Sequence, residues 1–309
     1  MKSIKALCNG TLPLTLWLMS PLAIANSLPS SPVTFTLATG WLGGESNEYV
    51  YDEGRKLSEI NWKIKNAAIA RGRLDWNIAP RVSLALSGWT TLARGSAQMD
   101  DYDWTVDKQS HWSDWSTWPA ARLNYANQFA VSITGWLLQQ PEYKLGATLG
   151  YQQTRISWQA QGGSYIYDNG ADIGRFSRDE RAAAYQQRFT VPWLGIAGQY
   201  RYKKIEFNAL IKYSPFTTAH DNDEHYTGYN TFRVKARRGK YWAASMDAGY
   251  YLSSQVKVLT ALSWENYRQN RGQIQGINYV AQSYNYSEKE GGGLSHKNYS
   301  LTAGLQYYF

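Results

Sequence analysis

The sequence predicts an all-β protein: a transmembrane, antiparallel, up-and-down β-barrel of about ten strands with long extracellular loops. Three observations carry this. The 309 residues include 14 Trp and 24 Tyr, yet the mean hydropathy is negative and no stretch is long and apolar enough for a spanning helix. The C-terminal stretch alternates apolar and polar residues up to a terminal aromatic, Phe309. Short turns alternate with long polar connections along the chain. A barrel wall reconciles all three, because it hides its apolar residues at every second position. Composition alone leaves a secreted β-sandwich open; the last strand decides against it.

Residues 1–25 read as a secretory signal. Lys2 and Lys5 form a basic start, Leu12 to Leu22 is mostly apolar, and Ala23-Ile24-Ala25 is a small-x-small cleavage site. Cleavage there removes Cys8, the one cysteine, so the domain of residues 26–309 has no disulfide. The formal charge of +8 falls to about +6 without Lys2 and Lys5. Secretion excludes nucleic acid as a partner, and a basic surface favours anionic lipid headgroups.

The strands follow in order. Val33/Phe35/Leu37, Val82/Leu84/Leu86, Leu145/Ala147/Leu149/Tyr151 and Ile205/Phe207/Ala209/Ile211/Tyr213 alternate with period two. So do Tyr299, Leu301, Ala303, Leu305 and Tyr307, in the manner of a C-terminal outer-membrane strand. Short turns are expected near Ala79-Pro80, Gln140-Pro141, Tyr202-Lys203 and Ser253-Ser254. Longer polar loops are expected over residues 43–56, 92–121, 159–183, 215–239 and 268–295. An even strand count puts the short turns in the periplasm and the long loops outside the cell. A barrel this narrow is filled by side chains, which argues against a general porin. Lys63, Lys65, Arg71 and Arg73 are expected to point inward, opposite the Trp62/Ile64 face.

The stretch from Ala219 to Tyr226 carries the chemistry. Asp221, Asp223 and His225 fall at alternate positions, so an extended chain presents all three on one face. An acid beside an imidazole fixes its tautomer and stabilises its protonated form. Asp101 and Asp103 share a face with the same spacing. The inferred mechanism has Asp223 orient His225, which takes a proton from water, while the Asp101/Asp103 pair holds that water and shares a proton. The bland reading of each acid is a solvated loop residue. No Gly-x-Ser-x-Gly is present. A metal site from His220, Asp223, Glu224 and His225 is disfavoured, since alternate strand residues diverge. One conflict stands out: in the strand from Ile205 the odd positions are apolar and face lipid, yet the acids are odd as well. A bulge near Ser214-Pro215 is predicted to reset the face.

Four motifs, Asp-Asp-Tyr-Asp-Trp (100–104), Asn-Tyr-Ala-Asn (124–127), Gly-Gly-Ser-Tyr-Ile-Tyr (162–167) and Asn-Asp-Glu-His-Tyr (222–226), together resemble the omptins, outer-membrane endopeptidases of Gram-negative bacteria. The resemblance implies catalytic roles for Asp101, Asp103, Asp223 and His225, and no metal cofactor. It implies that Glu48 and Asp221 line an acidic pocket for a basic side chain, with cleavage of peptides and proteins between paired Arg or Lys. It also implies lipopolysaccharide as an activating lipid, held by Tyr151, Arg155, Arg188 and Arg237. The chain departs from the family pattern at Asn61 (an Asp expected), Trp118-Pro119 (a His-Pro expected), Gln153 (a Glu expected) and Arg237 (a Lys expected). The segment 227–230 lacks a Lys or Arg for self-cleavage. The alternative function is a non-catalytic adhesin or invasin, whose aromatic loops, with Trp112, Trp115 and Trp118 exposed, bind host surfaces.

Overall fold

A computed structural model describes residues 32–309; the expected signal peptide and Cys8 lie outside the described residues. Fourteen strands form one antiparallel sheet. Ten of them close a ring in the order β1 (Val33–Asp52), β2 (Arg55–Ala79), β3 (Val82–Thr91), β6 (Arg122–Gln139), β7 (Tyr143–Gln161), β10 (Arg181–Tyr202), β11 (Ile205–His225), β12 (Asn230–Tyr251), β13 (Val256–Asn278) and β14 (Ser283–Tyr308). β1 pairs with both β14 and β2, so the ring has no open seam. A Cβ on Gly40 would run into the Leu301 carbonyl, and one on Gly304 into that of Leu37, so the closing strands meet at backbone distance.

Short turns lie at one end, at residues 80–81, 140–142, 203–204 and 252–255, as expected. At the other end the segments expected as loops are paired strand for most of their length. β1 runs without a break to Asp52, and β11 to His225. Four shorter strands, β4 (Gly95–Asp103), β5 (Asp114–Trp118), β8 (Ser164–Tyr167) and β9 (Asp172–Arg175), extend the wall further, with β4 on β2, β5 on β4, β8 on β5 and β9 on β8. Polar sequence concealed this, because a wall wet on both faces needs no apolar alternation.

The outer face carries the apolar belt. Leu37, Trp41, Leu149, Ile196, Ile211, Leu262 and Leu301 are exposed there, while Thr302 and Asn298 of the last strand turn inward. The belt has the alternation a hydrocarbon layer demands.

The face reversal predicted at Ser214-Pro215 is present. The β11–β12 register shifts between Ser214 and Ala219, and the β10–β11 register between Thr190 and Leu194. Ser214 is buried, Phe216 is 65% exposed, and Thr217 and Ala219 are buried again. Even positions therefore face the lumen below the break and odd positions above it. A similar reversal overturns part of the reading of β2. Trp62 and Ile64 point inward and are buried, while Lys63 and Lys65 point outward, Lys63 toward Asp100 at 3.6 Å. A register shift between Ile64 and Asn66 then turns the chain, and Arg71 and Arg73 do line the lumen.

Two packed layers divide the interior. Phe189, Val191, Tyr241, Tyr267 and Leu294 fill the middle, and Gln152 donates to both tyrosine hydroxyls (2.9 and 2.8 Å). Above it Trp62, Tyr185 and Trp158 stack with centroids 5.6–5.8 Å apart. Below lies a cavity of about 720 Å³ lined by Arg71, Arg73, Asp75 and Glu206 among others. Near the short turns the buried Glu206 accepts from Lys257 (2.6 Å), Arg201 (2.9 Å) and Tyr251 (2.7 Å). Glu206→Gln strands the Lys257 ammonium inside the wall and is expected to destabilise the barrel by about 3 kcal/mol, read from urea unfolding in lipid vesicles.

Candidate active site

The upper lumen is a cleft into which β1, β2, β4, β10 and β11 direct polar side chains. β11 supplies Asp221, Asp223 and His225 because the break at Pro215 has already turned its odd positions inward. Asp223 is fully buried, and its Oδ2 lies 2.6 Å from His225 Nε2. The imidazole is braced edge-on by Phe232 at 5.5 Å. With Nε2 donating to Asp223, Nδ1 is the nitrogen left to take a proton. Burial opposes the imidazolium, but the charge of Asp223 and its hydrogen bond outweigh it, helped by Asp101 and Asp103. The pKa of His225 is raised to about 9.

β4 supplies the facing acids. Asp101 and Asp103 leave one face of the strand, and β4 pairs with β2 so that Ser58 stands opposite Asp103 and Ile60 opposite Asp101. Burial holds the Asp101 carboxyl well above the usual range; Asp103 adds to this and His225 opposes it. Burial also raises Asp103, against the Ser58 hydroxyl and the charge of His225. The Ser58 hydroxyl stands beside both carboxyls and favours their charged forms. Sequence reasoning missed it, because a serine near a strand end carries no signal until the partner strand is known. The arrangement sets a basic nitrogen against two carboxyls whose charged forms burial disfavours. It is competent to position a water, take its proton and return one to a leaving group.

Glu48 of β1 and Asp221 meet beneath this pair. Glu48 is 1% exposed. Burial, then the charges of Asp221 and Asp223, hold its carboxyl well above the ordinary value. Asp221 accepts from the Val234 amide and from the Tyr185 hydroxyl at 3.2 Å, and Gln187 in turn donates to Tyr185 at 2.6 Å and to the Asn47 carbonyl at 3.1 Å. Tyr185 and Gln187 are further residues that the sequence reading did not find. They lie on β10, and only the β10–β11 register, Tyr185 beside Asp223 and Gln187 beside Asp221, brings them in.

His220 and Glu224 leave the opposite face of β11, His220 beside Arg188 and Glu224 in hydrogen bonds with Thr231 and Asn222. The aromatic cluster expected to be exposed is divided. Trp118 is 5% exposed and stacks inward on Phe176 at 5.4 Å. Trp112 and Trp115 are half-buried and pack on one another at 6.3 Å. The parity of β5 explains the split, since Ser116 and Trp118 face the cleft and Trp115 does not.

Tyr151, Arg155, Arg188 and Arg237 all lie exposed on the outer surface. Arg155 stands opposite Arg188 across β7–β10, Arg188 opposite His220, and His220 opposite Lys235. In this level row burial and the flanking cations disfavour the charged form of His220, and Arg155, Arg188 and Lys235 have no acidic partner within 4.0 Å among the described residues; Arg155 donates instead to the Gln153 amide oxygen at 2.9 Å. Like charges directly opposite on a sheet repel.

Residues 30–309 match the Omptin family. The chain belongs to that family. Its relatives include a plasminogen activator of Yersinia pestis, 46% identical over 283 residues that cover 90% of this chain and 91% of that protein. Protease 7 of Escherichia coli K12 is 38% identical over 309 residues, covering 94% and 97%. The crystal structure of the outer membrane protease OmpT from Escherichia coli superposes with a TM-score of 0.88 at 38% identity, over 92% of this chain and 99% of that one. This omptin is accordingly an outer-membrane β-barrel protease.

The departures from the family pattern sit away from the acids. Asn61 of this omptin donates to Glu45 (3.2 Å) and Asn47 (2.8 Å), and Trp118 completes the inner aromatic wall. The chain has four histidines, so His225 can be followed by NMR. It is expected to lose its proton near pH 9, and at a clearly lower pH in Asp223→Asn, where only Asp101 and Asp103 remain to oppose burial. Because the folded-state value is raised, the stability from this pair is complete below pH 6.5 and is lost as pH rises through about 9.

Proposed function

We propose that this protease is an endopeptidase acting at basic sites, above all between paired Arg or Lys residues, at the extracellular end of the barrel. Its nucleophile is a water activated by the Asp223–His225 couple and held by the Asp101–Asp103 couple. The observation that carries the reading is the 2.6 Å bond between Asp223 and His225, set within electrostatic reach of both facing carboxyls. A buried acid orients a histidine and supports its positive charge as a proton arrives. Asp101 and Asp103, with raised pKa values, carry the proton that a tetrahedral oxyanion needs.

Glu48 and Asp221 support the substrate class. Two carboxyls at the foot of a cleft select a guanidinium or ammonium group by charge and geometry. Lipopolysaccharide is the proposed activating lipid, with no metal ion required. The unpaired row of Arg155, Arg188, His220 and Lys235, with Arg237 beside it and Tyr151 below, supports this. Such a row is stabilised by a phosphorylated headgroup lying across it.

Hydrolysis of a fluorogenic peptide containing Arg-Arg by the refolded barrel tests the reading. Cleavage between the arginines is expected to require added lipopolysaccharide, to survive EDTA, and to fall roughly 10³-fold in His225→Ala. Loss of activity in EDTA would instead point to a metal site, and a folded barrel that leaves every basic peptide intact would favour the adhesin. The double variant Arg155→Ala/Arg188→Ala is expected to need about tenfold more lipopolysaccharide for half-activation, with unchanged heat-modifiable mobility of the barrel.

A further inference from the structure

Among the buried oxygens of the cleft that have no hydrogen-bond partner, two belong to neighbouring acids on different strands. Glu48 Oε2 and Asp223 Oδ1 are both fully buried and both unpartnered. The oxygens of Asp221 and the second oxygen of Asp223 do have partners. Asp221 takes the Val234 amide and the Tyr185 hydroxyl, and Asp223 Oδ2 takes the ring of His225. An ionised carboxylate only accepts, so two ionised acids side by side cannot satisfy one another. A single proton between them does so, as in any pair of carboxyls forced to share a site.

We propose that Glu48 in the resting enzyme holds a proton that it donates to Asp223, and that a substrate's guanidinium or ammonium group entering the pocket expels this proton to solvent. The inference rests on the pocket role given above to Glu48 and Asp221, and it adds a consequence for the chemistry. One cation enters and one proton leaves, so the charge of the buried site stays the same. Glu48 becomes a carboxylate that pairs with the incoming cation. Asp223 loses the hydrogen bond that Glu48 donated, its charge is no longer shared, and it supports the imidazolium of His225 more strongly. Recognition of a basic residue thereby raises the basicity of His225 and acts on kcat as well as on KM.

The groups facing this pair come from every side of the cleft. β11 contributes Asp221 and His225, β4 contributes Asp101 and Asp103, and β10 contributes the Tyr185 hydroxyl. Asp221, Asp223 and Asp101 all raise the pKa of Glu48 further above the value that burial sets. His225, the histidine of the cleft, is already committed to Asp223. A substrate cation is thus the group able to ionise Glu48.

The test is isothermal titration of the lipopolysaccharide-loaded barrel at pH 7, in two buffers of different ionisation enthalpy. The probe is a peptide with Arg before a ketomethylene isostere of the scissile bond, compared with the same peptide carrying citrulline, the neutral shape-mimic of arginine. The Arg peptide is expected to release about one proton per molecule bound, and the citrulline peptide none. Glu48→Gln, checked for folding by its heat-modifiable mobility, is expected to bind the Arg peptide more weakly and to release no proton. For cleavable substrates, exchange of Arg for citrulline is expected to lower kcat as well as to raise KM. Tight binding of the Arg peptide without proton release would overturn the proposal and leave the basic-site reading intact. Equal binding of the Arg and citrulline peptides would overturn both.

Discussion

Everything in this barrel depends on closure of its hydrogen-bonded wall. In hydrocarbon no water is available for a free amide or carbonyl, so a sheet can cross only if its first and last strands meet. β1 does this by pairing with β14 along one edge and β2 along the other. The same pairing that satisfies lipid continues beyond the apolar belt, where lipid no longer demands it. There it becomes a rigid polar scaffold for side chains. Acids on β1, β4 and β11 are held by backbone register rather than by loop conformation, and register resists drift.

Closure alone would aim the acids of β11 at lipid. The break at Ser214–Phe216 prevents this by inserting residues between two regular ladders, so that a strand greasy on its odd positions below becomes acidic on its odd positions above. A proline suits the site because it cannot donate to the ladder at a place where the ladder is interrupted in any case. β2 turns over between Ile64 and Ala67 for a related reason: its upper half packs Trp62 against Tyr185 and Trp158, while its lower half lines a charged lumen. Lipid contact, aromatic packing and acidic cleft are thus stacked along the same few strands by local changes of face.

The cleft concentrates Glu48, Asp101, Asp103, Asp221 and Asp223 around a single histidine. Such an assembly is tolerable only if some of the acids stay protonated, and burial supplies the reason that they do. Ser58 and Tyr185 keep the acids oriented, the first between Asp101 and Asp103, the second on Asp221. On the outer surface the opposite imbalance holds. Arg155, Arg188, His220 and Lys235 face one another with no acidic partner within 4.0 Å among the described residues.

Much of this was legible in the chain before any coordinates. Period-two alternation ending on Phe309 determined the barrel, because the lipid and lumen faces impose opposite polarity on successive residues. The i, i+2 spacing of Asp101/Asp103 and Asp221/Asp223/His225 determined which side chains could share a face, and the parity conflict in β11 even located the bulge. The rest was decided by tertiary structure. That the supposed loops are strands could not be read, since a wall wet on both sides leaves no hydrophobic period. Lys63 and Lys65 face outward because a single shift in register reverses every face beyond it, and Trp118 turns inward because the pairing of β5 with β4 and β8 fixes its parity. Ser58, Tyr185, Gln187 and Lys235 join their sites only through cross-strand pairing, and the contact between Glu48 and Asp223 joins residues 175 positions apart. Sequence spacing specifies faces within one strand; which faces meet is a property of the closed sheet.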